Sequence, residues 1–221
     1  FNHSIKKNGE SGIRVRGSSS TIVKNNTITD NGELGIDVFA LFNDTGEITH
    51  HARNIRIVDN EISGTVTNKM EWAGYAIHIA TGAKDNTVLK NRITDNRKGI
   101  DLYATTGNTI KENIIQNNKL VGIKIGGSSN NTISQNDIKK NGDFGVDIIP
   151  GWNEKHTKML HDSKNNEIID NEITEISPVT ANWKGVGVNI RDRAELNKIK
   201  NNSISNSNIG IQIWNSTKNR A

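Results

Sequence analysis

The chain has 221 residues, enough for one sizeable core or a single run of repeats. It contains no cysteine, which excludes a disulfide scaffold and thiolate chemistry, and no apolar run approaches the ~18 residues of a membrane-spanning helix. A formal charge of +4, spread along the chain with no dense Lys/Arg patch among aromatics, argues against nucleic acid and favours an anionic partner only weakly.

Apolar content is low at 33%, and Ile, Asn, Lys and Gly dominate. The Ile and Val residues nevertheless recur at regular intervals, which a disordered tract would not show. In chain order, the first unit surrounds Ile28 and the next Ile62. The clearest copy follows: Asn86-Thr-Val88, Asn91-Arg-Ile93, Asn96, then Gly99-Ile100-Asp101-Leu102. Two more copies run through Ile115 to Gly122-Ile123-Lys124-Ile125, and through Ile138 to Gly145-Val146-Asp147-Ile148. Fainter copies lie around Ile173 and Ile204.

The shortest steps between units are 22 and 23 residues. That is too short for a four-stranded propeller blade, and the Leu consensus of a leucine-rich repeat is missing. It fits three short strands joined by tight turns, one coil of a β-helix. The expected fold is therefore all-β, a right-handed parallel β-helix filling residues 1–221 as one domain. Within G-[IV]-x-[IV] the period is two, so Ile and Val point inward and the residue between points out. Asn26, Asn60, Asn91, Asn113, Asn136, Asn171 and Asn202 are read as structural. An Asn at a turn tolerates left-handed geometry, and stacked amides can bond in a ladder.

A longer repeat overlies the short one. Asn31-Gly-Glu-Leu-Gly-Ile-Asp-Val38 recurs as Asn141-Gly-Asp-Phe-Gly-Val-Asp-Ile148, an offset of 110 residues. Glu71-Trp72-Ala-Gly-Tyr-Ala-Ile-His-Ile79 matches Asn182-Trp183-Lys-Gly-Val-Gly-Val-Asn-Ile190 at 111. Four coils are thus expected to be duplicated. The insertions 39–53 and 149–164, and 63–73 and 174–184, should border one face and wall a groove there.

The outward residues of successive G-[IV]-x-[IV] strands form a column: Arg14, Asp37, His78, Asp101, Lys124, Asp147, Asn189, Gln212. Neighbours stand one strand spacing apart, about 4.8 Å. His78, between Asp37 and Asp101, is placed to move a proton near neutral pH. Lys124 can neutralise a substrate carboxylate and so acidify the proton on the neighbouring sugar carbon. Asp37, His78, Asp101, Lys124 and Asp147 are the candidate catalytic residues. Arg14, Arg16, Tyr103, Trp152, Trp183 and Arg191 are the candidates for gripping a sugar chain. A pair of Asp residues acting as an inverting glycosidase is the enzyme alternative. A column of alternating charges also stabilises a sheet by itself, so a non-catalytic binding or structural module is the second alternative.

On these repeats the sequence resembles the parallel β-helix superfamily that includes mannuronan C5-epimerases, NosD-type periplasmic proteins, polysaccharide lyases and phage tailspikes. The resemblance implies a lyase or epimerase acting on an acidic polysaccharide, outside the cell, at its surface or in the periplasm. In the epimerases the catalytic strand reads Y-G-F-D-P-H. Here the strands read Leu34-Gly35-Ile36-Asp37-Val38-Phe39 and Phe144-Gly145-Val146-Asp147-Ile148-Ile149, so the Asp carries over and the Pro-His does not. His78, from the next coil, is the candidate replacement imidazole. Calcium bridges carboxylates in some grooves, but no calcium-loop spacing occurs here, and no metal or cofactor is expected. The chain opens in mid-pattern at Phe1, so further domains of a longer polypeptide are expected.

Overall fold

The computed structural model describes residues 1–67, 73–152, 158–179 and 184–221. They form eight stacked coils, each contributing a strand to parallel sheets that run the length of the solenoid. The front sheet stacks Ser11–Arg16, Leu34–Phe39, Tyr75–Ile79, Lys98–Tyr103, Val121–Gly126, Phe144–Ile149, Val186–Arg191 and Ile209–Trp214. A second sheet of seven three-residue strands runs from Ile22–Lys24 to Lys198–Lys200, and a third of eight from Ser4–Lys6 to Ser203–Ser205.

Register follows the repeat. Ile28, Ile62, Ile93, Ile115, Ile138, Ile173 and Ile204 stand in one file, and Ile5 extends it by a coil that the sequence pattern left unmarked. These side chains meet Ile36, Val38, Ile100, Leu102, Ile123 and Ile125 in one continuous core. Each fully buried Ile contributes on the order of 1.5–3 kcal/mol.

The glycine of the repeat has a steric cause. A Cβ on Gly99 would lie 2.2 Å from the carbonyl oxygen of Gly122, and one on Gly145 2.6 Å from that of Gly187. Both would also press on a core isoleucine, Ile115 or Ile173. Only Ala76 departs from glycine in this file. With the glycine facing inward, the residue before it faces out. Leu34, Tyr75, Val121, Phe144 and Val186 accordingly form a second apolar cluster outside the main core, with Ile209 packed against it.

The asparagine ladder is continuous. From Asn26 to Asn202, each side-chain Nδ2 donates to the Oδ1 of the next coil's Asn at 2.9–3.0 Å. The turn half of the expectation is corrected. Positive φ falls on the residue before each ladder Asn, namely Asn25, Asp59, Lys90, Glu112, Gln135, Asp170 and Asn201. The ladder amides are held in place by bonds to one another and to backbone carbonyls, not by left-handed geometry. A second ladder joins Asn86, Asn108, Asn131, Asn166, Asn197 and Asn219.

Candidate functional site

The front sheet pairs Arg14 with Asp37, Asp37 with His78, His78 with Asp101, Asp101 with Lys124, Lys124 with Asp147, Asp147 with Asn189, and Asn189 with Gln212. All eight residues therefore share one file. The second file also forms in register, through Arg16 beside Phe39, Tyr103 beside Gly126, and Arg191 beside Trp214.

The column is not the open ladder that strand alternation implies. Asp37, Asp101 and Asp147 are buried, as is Asn189. Their charges are held by neighbours. His78 Nδ1 lies 3.1 Å from Asp37 Oδ1, and Arg14 Nε donates to Asp37 Oδ2 at 3.3 Å. On its other side, His78 Nε2 is 3.6 Å from Asp101 Oδ2. Asp101 Oδ1 is buried and lacks a hydrogen-bond partner among the described residues. A native orphan of this kind calls for an explanation, and a ligand hydroxyl is one.

Further along, Asp147 Oδ1 accepts from Asn189 Nδ2 at 2.8 Å and Asp147 Oδ2 from Arg191 Nη2 at 3.3 Å. Arg191 also donates to Asp192 at 2.6 Å. Its guanidinium is thus held by two carboxylates of the chain. Lys124 differs from every other charge in the file: it makes no ion pair among the described residues, although its strand lies between those of Asp101 and Asp147.

The remaining candidates divide. Arg16 sits over the Phe39 ring at 5.6 Å. Tyr103 donates its hydroxyl to the Trp152 carbonyl at 3.3 Å, which brings those two together. Trp183 lies outside the described residues, as do Trp72 and His156. An open depression of about 400 Å³ borders the N-terminal part of the column, lined by Arg14, Leu34, Asp37, Phe39, Phe42, His78, Ala80 and Thr81. Tyr75, which the sequence reading passed over, stacks near His78 with ring centroids 6.2 Å apart and planes 18° from parallel. The only signal for it is its place three residues before His78, at a repeat position held elsewhere by Ser11, Leu34, Lys98, Val121, Phe144, Val186 and Ile209.

Insertions 39–53 and 149–164 each carry an antiparallel strand pair, Leu41–Phe42 with Ile48–His50 and Gly151–Trp152 with Met159–His161. The first packs over Gly17 through Leu41 and His50, and the second over Gly127 through Gly151 and His161. Of the other two insertions, Ala73 and Val179 are anchored to Arg97 and Asp143 respectively. Among the described residues no group of three or more His, Asp and Glu side chains is arranged to hold a metal ion. No helix among them is long and apolar enough to cross a membrane.

Chemically, the Asp37–His78 contact fixes the imidazole. With Nδ1–H given to Asp37, Nε2 is left to accept a proton.

The family described as right handed beta helix region matches residues 1–154 and 48–221, which together span the chain. The protein belongs to that family. Among solved right-handed β-helices, the A-module of the Azotobacter vinelandii mannuronan C-5 epimerase AlgE4 superposes with a TM-score of 0.75. Identity there is 17%, over 97% of this chain and 56% of that one. The periplasmic alginate epimerase AlgG gives 0.61 at 15% identity, over 99% of this chain and 50% of that one. The chain thus spans about half the length of these solved structures, and at such identity the likeness is one of fold. No curated protein matches the sequence.

Proposed function

We propose that this β-helix modifies an acidic polysaccharide by removing the proton beside a uronate carboxylate. The observation that carries the proposal is His78, held at Nδ1 by the buried Asp37 with Nε2 turned toward a second buried carboxylate, at the edge of a depression. Nε2 takes the proton from the sugar carbon bearing the carboxylate, and the electron pair passes into that carboxylate. Lys124 stands two coils from His78 and takes no part in this step. Delivery of a proton from water to the opposite face gives an epimer. Loss of the neighbouring glycosidic oxygen, which leaves as an alcohol with the proton His78 had taken, gives an unsaturated sugar, the lyase outcome. Asp37 orients the base, and Asp101, with its unpartnered oxygen, receives a sugar hydroxyl. Arg14, Arg16, Tyr103 and Trp152 contact the flanking sugars. The work named in the titles of AlgE4 and AlgG, epimerisation of mannuronan and of alginate, supports a uronate substrate, and AlgG's periplasmic home supports a site outside the cytoplasm.

The inverting-hydrolase alternative fares worse. Such a mechanism needs room for a water between its carboxyl groups, and the His78 imidazole stands between Asp37 and Asp101 as Lys124 does between Asp101 and Asp147. A non-catalytic binding or structural module is the stronger rival, its structural form favoured by the ion pairs that Arg14 and Arg191 make within the chain.

Incubation with uronate-containing and neutral glycans separates the readings by product. An unsaturated chromophore marks a lyase, altered stereochemistry at unchanged length an epimerase, and new reducing ends alone a hydrolase. His78→Asn is expected to lower turnover roughly 10²–10⁴-fold, the span of a general base. Full turnover in His78→Asn removes the proposal.

A further inference from the structure

The front sheet presents one arrangement twice. In the N-terminal half, Arg14, Asp37, His78 and Asp101 stand in register on successive coils. In the C-terminal half, Lys124, Asp147, Asn189 and Gln212 do the same. The surrounding contacts repeat as well. Leu41 pairs with His50 and Gly151 with His161, while Phe42 pairs with Ile48 and Trp152 with Met159.

The two copies share their hydrogen bonding and differ in their proton chemistry. In each, the central Asp accepts an N–H at Oδ1, from His78 Nδ1 at 3.1 Å or Asn189 Nδ2 at 2.8 Å. In each, its Oδ2 receives an arginine at 3.3 Å. That arginine is the preceding coil's Arg14 in the first copy and the following coil's Arg191 in the second. Two consequences follow. The C-terminal copy has amides, Asn189 and Gln212, where the N-terminal copy has an imidazole and a carboxylate, so neither position can exchange a proton near neutral pH. And with Arg191 on Asp147, Lys124 is released from the role Arg14 has with Asp37; among the described residues it pairs with nothing, beside two buried carboxylates.

We infer that the C-terminal copy is a non-reacting holding site for the same polymer, with Lys124 as its uronate contact and Gln212 as a hydroxyl contact. It rests on the polysaccharide reading for the chemical class of its ligand. His78 and Asn189 are four coils apart, roughly 19 Å at the strand spacing. A chain lying along the column therefore reaches both copies, one that reacts and one that retains.

The test combines binding, by calorimetry with saturated oligouronates, and steady-state kinetics on the parent polymer. Lys124→Ala is expected to weaken binding and raise KM about tenfold or more while kcat changes little, and Lys124→Arg to restore both, as a charge-assisted contact requires. His78→Asn, which gives the N-terminal copy the amide of the C-terminal one, is expected to lose kcat and keep its affinity. Circular dichroism confirms that each variant is folded. Wild-type affinity in Lys124→Ala, or no restoration by arginine, overturns the inference and leaves the proton-transfer proposal standing. Binding that depends on Lys124 in a protein without turnover upholds the inference and overturns the proton transfer. Absence of any uronate binding by the wild type overturns the inference together with the proposed substrate class.

Discussion

Replacing Asn113 by alanine tests the device that joins the coils. Asn113 is fully buried and donates to Asn136 Oδ1, to the Val88 carbonyl and to the Lys111 carbonyl, each at 3.0 Å. It also accepts from the backbone N–H of Asn91 at 2.9 Å and from Asn91 Nδ2 at 3.0 Å. Alanine removes all of these and leaves the Asn91 N–H buried without a partner. An orphaned buried N–H costs about 1–3 kcal/mol and the bonds of the two amide hydrogens about 1 each, which places the total near 3–5 kcal/mol, since Asn91 Nδ2 keeps its bonds to the Ile57 and Leu89 carbonyls. Asn202, at the end of the ladder, is partly exposed and has no Asn beyond it to bond. Water can replace part of what it loses, so Asn202→Ala should cost about 1–2 kcal/mol. Urea unfolding followed by far-UV circular dichroism measures both, with an unchanged slope showing that only stability has moved. A loss below about 1 kcal/mol for Asn113→Ala, or equal losses at the two positions, would refute the ladder's role.

Other outcomes follow from the same geometry. Gly99→Ala forces a Cβ to within 2.2 Å of the Gly122 carbonyl oxygen and should cost about 1–3 kcal/mol on the same urea scale. Gln135 has φ 55°, a conformation that penalises any side chain, so Gln135→Gly should raise the urea midpoint by up to about 1 kcal/mol of stability. Tyr103→Phe removes the hydroxyl contact to the Trp152 carbonyl and should weaken oligouronate binding more than it changes the melting temperature.

Much of this architecture is legible in the residues alone. G-[IV]-x-[IV] fixes register because a one-residue slip would expose every Ile, and the file from Arg14 to Gln212 follows from it. The ladder is legible because Asn recurs where a coil must turn with its amides facing the next coil. What is not legible is burial. Strand alternation says that Asp37, Asp101 and Asp147 point outward, but only coordinates show neighbours covering them. The left-handed positions carry only part of a signal: Asn25, Asp59, Asp170 and Asn201 tolerate that geometry, but Lys90, Glu112 and Gln135 do not favour it, and there the turn is imposed by stacking rather than by local preference. The outer cluster of Leu34, Tyr75, Val121, Phe144 and Val186 could have been read from the apolar residue that opens most of the repeat strands, Ser11 and Lys98 being the exceptions. The pairing of Arg191 with Asp147, which leaves Lys124 unpaired, depends on side-chain reach between coils and on no spacing in the sequence.

Solvent deuterium uptake tests the proposed role of His78 most directly. A uronate oligomer incubated in D₂O with the wild-type protein is followed by proton NMR at the hydrogen beside the carboxylate. Abstraction by His78 predicts that this signal fades or moves into an unsaturated product with the wild type, and persists with His78→Asn. A signal that persists with both proteins, or fades equally with both, contradicts it.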